Sequence, residues 1–208
     1  MSMPFTRLTG AAAPLLRANI DTDAIIPSRE TKSVSRDGYG EKLFANWRYE
    51  PGTRIENPDF VLNKPQYKNA RILLAGPNFG CGSSREAAAW SLVQYGIRCV
   101  IASSFGAIFR NNSVRNGLLP VVLKASEVSA LAADREQSTS KDITVDLETC
   151  SVETDSGLRF SFTMPPRDRQ MLLTGLDEIE LTLKLLPQIR AFREVDRARR
   201  PWIYNRPE

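Results

Sequence analysis

The centre of the chain alternates short apolar runs with stretches of helical character. Apolar runs at Ile72–Ala75, 97–102 and 118–123 predict three buried strands. The stretches between them, 87–95 and 105–115, predict helices that end near glycines. This order of strands and helices, joined by short turns, favours a parallel sheet with right-handed crossovers. In such sheets, ligands bind at the carboxyl ends of the strands.

Beyond this core, the pattern changes to a strict alternation of apolar and polar residues. The alternation at 143–147, 152–154 and 158–162 predicts antiparallel strands, with a tight turn at 155–157. An antiparallel hairpin is therefore expected beside the parallel core.

The amino-terminal part is less regular. Residues 5–16 predict a short strand that gives way to a loop at Pro14. Residues 28–40 are polar and show neither a helical nor a strand period, which predicts a loop of the kind that closes over substrates. Residues 43–49 predict a short amphipathic helix.

Helices are expected at the carboxyl end as well. One runs from 167 to 174, and a second is capped by Asp177 and stops near Pro187, ahead of a basic tail. With 208 residues and no long linker, the chain is predicted to be one α/β domain over 1–208, with a helical tail at about 187–208.

The composition narrows the classes of function. Lys and Arg exceed Asp and Glu by only four charges, and no basic stripe carries interleaved aromatic residues, so we expect no nucleic-acid partner. No apolar run is long enough to span a membrane, and the first residues lack the apolar core of a signal peptide. A cytoplasmic protein is therefore expected.

The chain contains no histidine, which excludes a Ser-His-Asp device and an HExxH zinc site built from this sequence alone. Its three cysteines, Cys81, Cys99 and Cys150, show no CxxC spacing. This argues against a disulfide framework, and against a metal or cluster site in this chain.

The residues with the clearest chemistry lie between the first core strand and the first core helix, at 78–86. Gly80 and Gly82 allow a sharp turn and the close approach of a ligand. Ser83 with Glu86 fits a capping box, and Arg85 would then fall in the first helical turn, where a positive charge opposes the helix dipole. An arginine in that place is explained if it binds a carboxylate or phosphate.

Four segments carry a resemblance to a known family: 22–27, 57–63, 78–86, and 111–112 together with 116–120. They resemble the small subunits of 3-isopropylmalate dehydratase, in the aconitase superfamily, from about residue 5 to residue 183. The resemblance implies a swivelling three-layer β/β/α domain. It also implies a large partner subunit that carries a [4Fe–4S] cluster, with no cofactor in this chain. The pair would interconvert 2- and 3-isopropylmalate, which are small dicarboxylates, in leucine biosynthesis.

The resemblance also implies roles for individual residues. Ser83 matches the serine that takes a proton from the substrate carbon as an alkoxide. Ser84 and Arg85 match residues that hold a substrate carboxylate, and Lys32 matches a basic position that meets another one. These roles agree with the anion pocket expected from the residues themselves, because Arg85 and a helix amino terminus stabilise an alkoxide.

Two departures from the family pattern affect the expected substrate. Ala87 stands where the family usually has histidine. Glu30 and Thr31, in the loop expected to contact substrate, stand where an aromatic residue and a leucine usually cover the isopropyl group. Because a carboxylate in place of apolar surface weakens the binding of a branched alkyl group, a paralogue acting on another 2-hydroxy diacid, of the methylmalate or citraconate kind, is an alternative.

Two further alternatives stay open. The altered loop and Ala87 are compatible with a binding module that no longer catalyses. A self-contained enzyme with Ser83 as nucleophile is disfavoured, because the chain has no histidine and no Gly-x-Ser-x-Gly elbow.

Overall fold

A mixed sheet organises the chain in the computed structural model, which describes residues 3–31, 36–82 and 85–204. Its strands are β1 (Arg7–Leu15), β2 (Ile72–Ala75), β3 (Cys99–Ala102), β4 (Leu119–Val122), β5 (Asp142–Asp146), β6 (Ser151–Thr154) and β7 (Arg159–Ser161). Their order across the sheet is β4-β3-β2-β1-β5-β6-β7. The pairs from β4 to β1 are parallel, and those from β1 to β7 are antiparallel. The predicted α/β class, with a parallel core and an added antiparallel part, is confirmed.

Strand β1 belongs to both parts of the sheet. Its first five residues pair with β5, from Arg7 opposite Asp146 to Ala11 opposite Asp142. Its last four residues pair with β2, up to Leu15 opposite Ala75. One long strand therefore joins the antiparallel part to the parallel part.

The predicted loop at Pro14 is wrong, because the strand continues through this residue to Leu15. Pro14 lies opposite Leu74 of β2, beyond the residues that pair with β5. A proline lacks the N–H group that a ladder bond needs, and it is tolerated where one side of the strand has no partner.

As far as residue 174, the helices are α1 (Thr22–Ile25), α2 (Ala45–Arg48), α3 (Glu86–Tyr95), α4 (Ala107–Arg115), α5 (Ala125–Gln137) and α6 (Pro166–Thr174). Helix α3 connects β2 to β3, and α4 connects β3 to β4, as the sequence predicts. Strands β2 and β3 are buried along their whole length. This fits parallel strands that are covered on both faces, and it explains their continuous apolar sequence.

The described residues divide into two units, one that ends at Gly175 and one that begins at Leu176. The second contains α7 (Glu178–Leu183), which is capped by Asp177 as predicted, and α8 (Leu186–Arg199). Pro187 lies in the first turn of α8, where its missing N–H group costs nothing, and so it begins a helix rather than ending one. A single domain over 1–208 with its tail from about 187 stays a prediction.

One arginine is fully buried in the first unit. Arg135, near the end of α5, contacts the carboxylate of Asp134 and lies 2.7 Å from that of Asp155. It also donates to the carbonyl oxygens of Ser140 (3.1 Å) and Asp142 (2.8 Å). Burial alone would raise the pKa of Asp134, but the hydrogen bond from Arg135 holds it below its usual value. The arginine thus fastens the end of α5 to the start of β5 and to the β6–β7 turn.

We predict that Arg135→Met destabilises the chain by about 2–4 kcal/mol, because it leaves two partly buried carbonyl groups and two carboxylates without their partner. Urea unfolding monitored by circular dichroism measures this change. Arg159→Ala, which removes an exposed ion pair with Glu153, is the control and should cost under about 0.5 kcal/mol. Equal effects of the two substitutions would contradict the assignment.

The same cluster gives a pH dependence. Because the folded-state pKa of Asp134 is lowered, its contribution to stability is present above the ordinary aspartate pKa. That contribution is lost as the pH falls through the lowered value. We therefore expect acid to destabilise Arg135→Met less steeply than the unaltered chain.

Within the part of the chain that the structure describes, no helix is both long enough and apolar enough to cross a bilayer.

Candidate active site

The loop that follows β2 is bonded to the loop that follows β1. The Gly80 amide donates to the Ile20 carbonyl oxygen at 2.7 Å, and the Thr22 amide donates to the Cys81 carbonyl oxygen at 3.0 Å. These bonds extend the parallel pairing of β1 and β2 past the carboxyl ends of the strands.

The same loop is bonded on its other side to the loop that follows β3. The Phe79 amide donates to the Ser104 carbonyl oxygen at 3.1 Å, and the Gly106 amide donates to the Phe79 carbonyl oxygen at 2.9 Å. The Ser104 hydroxyl accepts from the Asn78 amide at 2.8 Å. Three strand ends therefore meet at the carboxyl edge of the sheet, where the sequence predicts the ligand site.

This close approach requires glycine at two positions. Gly80 has a φ of +72°, and a Cβ there would lie 2.2 Å from the Phe109 ring. A Cβ at Gly106 would lie 2.4 Å from the Gly80 carbonyl oxygen. Because real Cβ atoms do not approach other atoms this closely, any side chain at either position must push the loops apart.

Helix α3 starts later than the sequence predicts. Its N-cap is Arg85, with extended backbone (φ −108°, ψ 104°), so the expected capping box with Ser83 as cap is wrong. The carboxylate of Glu86 instead accepts from the Asn116 side-chain amide at 3.0 Å. Asn116 in turn accepts from the Trp90 indole at 3.0 Å. Arg85 therefore precedes the first turn and does not oppose the helix dipole from within it.

Arg85 forms an ion pair with Asp23 of α1. The Arg85 side chain is 26% exposed and that of Asp23 is 53% exposed, so the pair lies at the surface of its unit. The hydrogen-bonded contact with Arg85 lowers the pKa of Asp23, and the same contact raises the pKa of Arg85. Both groups therefore stay charged near neutral pH. The forked donors of Arg85 can bind a carboxylate at this edge.

Asp23 also connects this pair to the following loop. Its carboxylate accepts from the Ser28 amide at 3.2 Å, at the start of a 3₁₀ helix (Ser28–Thr31). A surface cavity of about 370 Å³ lies beside Asp23, and Pro27 and Trp47 contribute to its wall. The cavity is open to solvent and has room for a small organic acid.

The structure describes three of the six predicted site residues. Ser83, Ser84 and Lys32 lie outside the described residues. Arg85 lies at the predicted edge. Two loop residues make contacts within the chain: Glu30 forms an ion pair with Arg54 at 2.7 Å, and the Thr31 hydroxyl donates to the Ser28 carbonyl oxygen at 2.8 Å.

The sequence gives no indication that Asp23 pairs with Arg85. Asp23 lies in a short helix capped by Asp21, whose carboxylate accepts from the Ala24 amide at 2.7 Å. It does, however, belong to a segment that carries the family resemblance. The left-handed backbone of Asn78, with a φ of +58°, was also not predicted, although asparagine adopts this conformation more often than most residues.

The residues that the structure describes do not fit a metal or iron–sulfur cluster. Among the described residues, no group of three or more His, Cys, Asp or Glu side chains is placed to hold a metal ion. Cys99 is fully buried in β3, and burial raises the pKa of its thiol, which disfavours the thiolate that a metal requires. Cys81 and Cys150 are partly exposed and free.

The fold and this edge therefore define a mixed α/β domain with an arginine–aspartate ion pair at the carboxyl edge of its parallel strands. Residues 2–126 match the aconitase C-terminal domain family. The chain is 60% identical, over 203 residues, to the 3-isopropylmalate dehydratase small subunit of Cupriavidus necator, covering 97% of this chain and 98% of that one. It is 48% identical to the small subunit of the same name from Aromatoleum aromaticum, with the same coverage.

A solved structure has a similar fold. The crystal structure of 3-isopropylmalate dehydratase from Methanocaldococcus jannaschii superimposes with a TM-score of 0.64 at 26% identity, covering 89% of this chain and 99% of that one. The chain belongs to the aconitase C-terminal domain family and, within it, to the 3-isopropylmalate dehydratase small subunits.

We predict that Gly80→Ala destabilises the chain by about 2–4 kcal/mol, since it combines a positive φ with a Cβ placed inside the Phe109 ring. Chemical unfolding measures the loss. Gly157→Ala is the control: it has a φ of +94° but no atom within 4 Å of the added Cβ, so it carries only the backbone cost. If the two variants lose equal stability, the close approach at Gly80 is not what requires glycine.

Proposed function

We propose that this chain is the small subunit of a heteromeric hydro-lyase that interconverts 2-isopropylmalate and 3-isopropylmalate in leucine biosynthesis. The observation that carries the proposal is the Arg85 guanidinium at the carboxyl edge of the parallel sheet, paired only with a half-exposed Asp23 among the described residues. A substrate carboxylate can replace or share that contact. The 60% identity to a relative of that name supports the choice of substrate.

The reaction removes a proton from one carbon of the substrate and a hydroxyl group from its neighbour. We assign Ser83, as an alkoxide, to take the proton, and Arg85 with Ser84 to hold one carboxylate. Lys32 meets the other carboxylate, and Glu30 and Thr31 belong to the same loop. The positive charge of Arg85, two residues after Ser83, favours the alkoxide over the neutral hydroxyl.

The chain alone does not complete the site. Because the donors among the described residues do not fit a cluster, we assign the [4Fe–4S] cluster to a large partner subunit. The substrate then binds between the two chains, which we expect to work in the cytoplasm. Neither a nucleic acid nor a membrane has a part in this proposal.

We expect Ser83→Ala to lower the kcat of the reconstituted pair by about a hundredfold or more, because a general base contributes about that much. Turnover of 3-isopropylmalate with a cluster-loaded large subunit measures this. Ser126→Ala, at an exposed position on α5, is the control and should keep full activity. Circular dichroism of both variants verifies the fold.

Two results would contradict the proposal. An unaltered pair that stays inactive with a loaded large subunit would favour a binding module that no longer catalyses. A higher kcat/KM on methylmalate than on isopropylmalate would favour a paralogue for another diacid, as the altered loop suggests.

We expect Arg85→Lys to raise KM about tenfold or more, because lysine keeps the charge but loses the two parallel donors that match a carboxylate. Steady-state kinetics of the reconstituted pair gives the value. Arg159→Lys, at an exposed position on β7, is the matched control. An unchanged KM for Arg85→Lys would remove Arg85 from substrate binding.

A further inference from the structure

Glu30 forms an ion-pair cluster with two arginines, Arg29 and Arg54, to which no role in the site has been assigned. The carboxylate of Glu30 is 2.7 Å from Nη2 of Arg54 and 3.5 Å from Nε of Arg29. The Glu30 side chain is only 13% exposed, whereas both arginine side chains are more than half exposed. The carboxylate is therefore turned toward these two cations and largely removed from solvent.

Arg54 is the better placed of the two cations. Its guanidinium lies over the ring of Tyr49 at 5.1 Å, and the Tyr49 hydroxyl donates to the Glu41 carbonyl oxygen at 2.8 Å. The turn that carries Arg54 is closed by a bond from the Glu50 amide to the Ile55 carbonyl oxygen at 2.9 Å. Arg54 is therefore held in place by its own turn and by the Tyr49 ring. Arg29 is the direct sequence neighbour of Glu30 and makes the longer contact.

A short series of contacts links the segment that carries Glu30 to Arg85. The Ser28 amide donates to Asp23, which pairs with Arg85, and Glu30 follows Ser28 by two residues. Since two residues span at most about 7 Å of backbone, Glu30 belongs to the same short segment as the Ser28 amide that binds Asp23. An unpaired negative charge in this segment opposes the binding of a dicarboxylate.

We infer that Arg54 is a positioning residue for the reaction: it neutralises Glu30 and holds the 3₁₀ helix Ser28–Thr31, so that the loop accepts a substrate carboxylate. This inference rests on the proposed function and adds to it. It also explains how a loop with glutamate in place of an apolar residue remains compatible with a doubly charged substrate.

We expect Arg54→Ala to raise the KM for isopropylmalate about three- to tenfold and to leave kcat within about twofold, since the effect is electrostatic and acts on binding. Adding Glu30→Gln to Arg54→Ala should bring KM back toward the unaltered value, because the unpaired charge is gone. Raising the salt concentration should shrink the KM defect of Arg54→Ala. Arg159→Ala, which breaks an exposed Arg–Glu pair on β7, is the matched control and should leave KM unchanged.

Hydrogen exchange in the isolated chain gives a second readout that needs no turnover. Arg54→Ala should speed exchange of the Glu30 amide, which donates to the Pro27 carbonyl oxygen at 2.8 Å. An unchanged exchange rate overturns the inference even where no substrate is converted. An unchanged KM also overturns it, and so does a KM defect that Glu30→Gln fails to relieve, since that result marks a merely structural role. Inactivity of the unaltered pair counts instead against the proposed function.

Discussion

The arrangement at the carboxyl edge depends on one constraint, the hydrogen bonding of the loop after β2 on both of its sides. Gly80 donates to the loop after β1, and Phe79 pairs with the loop after β3 through Ser104 and Gly106. Neighbouring backbones at this spacing leave no room for a Cβ at Gly80 or Gly106. Because these bonds are made between loops, they align the end of β2, and hence the start of α3, with the end of β1. Arg85 and Asp23 face each other as a result.

The electrostatics of the site follow from that alignment. The chain has no histidine, the side chain whose unperturbed pKa lies near neutral pH. The charges described at this edge are those of Arg85 and Asp23. The contact between Asp23 and Arg85 lowers the pKa of the carboxyl group and raises that of the guanidinium, so neither is neutralised by moderate changes of pH. In the proposed function, a substrate carboxylate replaces or shares this half-exposed partner of Arg85.

The neighbouring loop shows how a sequence departure is accommodated by its surroundings. Judged from sequence, Glu30 introduces a charge where the family has apolar surface. In the folded chain, the carboxylate is paired with Arg54, which in turn rests on the ring of Tyr49. This pairing reduces the cost of the charge, and we propose that the effect on substrate binding depends on Glu30 and Arg54 together.

The sequence by itself determined the α/β class, the three parallel core strands, the antiparallel hairpin and the placement of Arg85 at a strand-to-helix turn. Periodicity and turn residues act between near neighbours in the chain, so they are readable without coordinates. Only the tertiary structure decided that β1 runs through Pro14, that Glu86 binds Asn116 rather than closing a capping box, and that Asp23 pairs with Arg85 and Glu30 with Arg54. Each of these depends on which distant segments the fold brings together, and such contacts cannot be inferred from the local sequence.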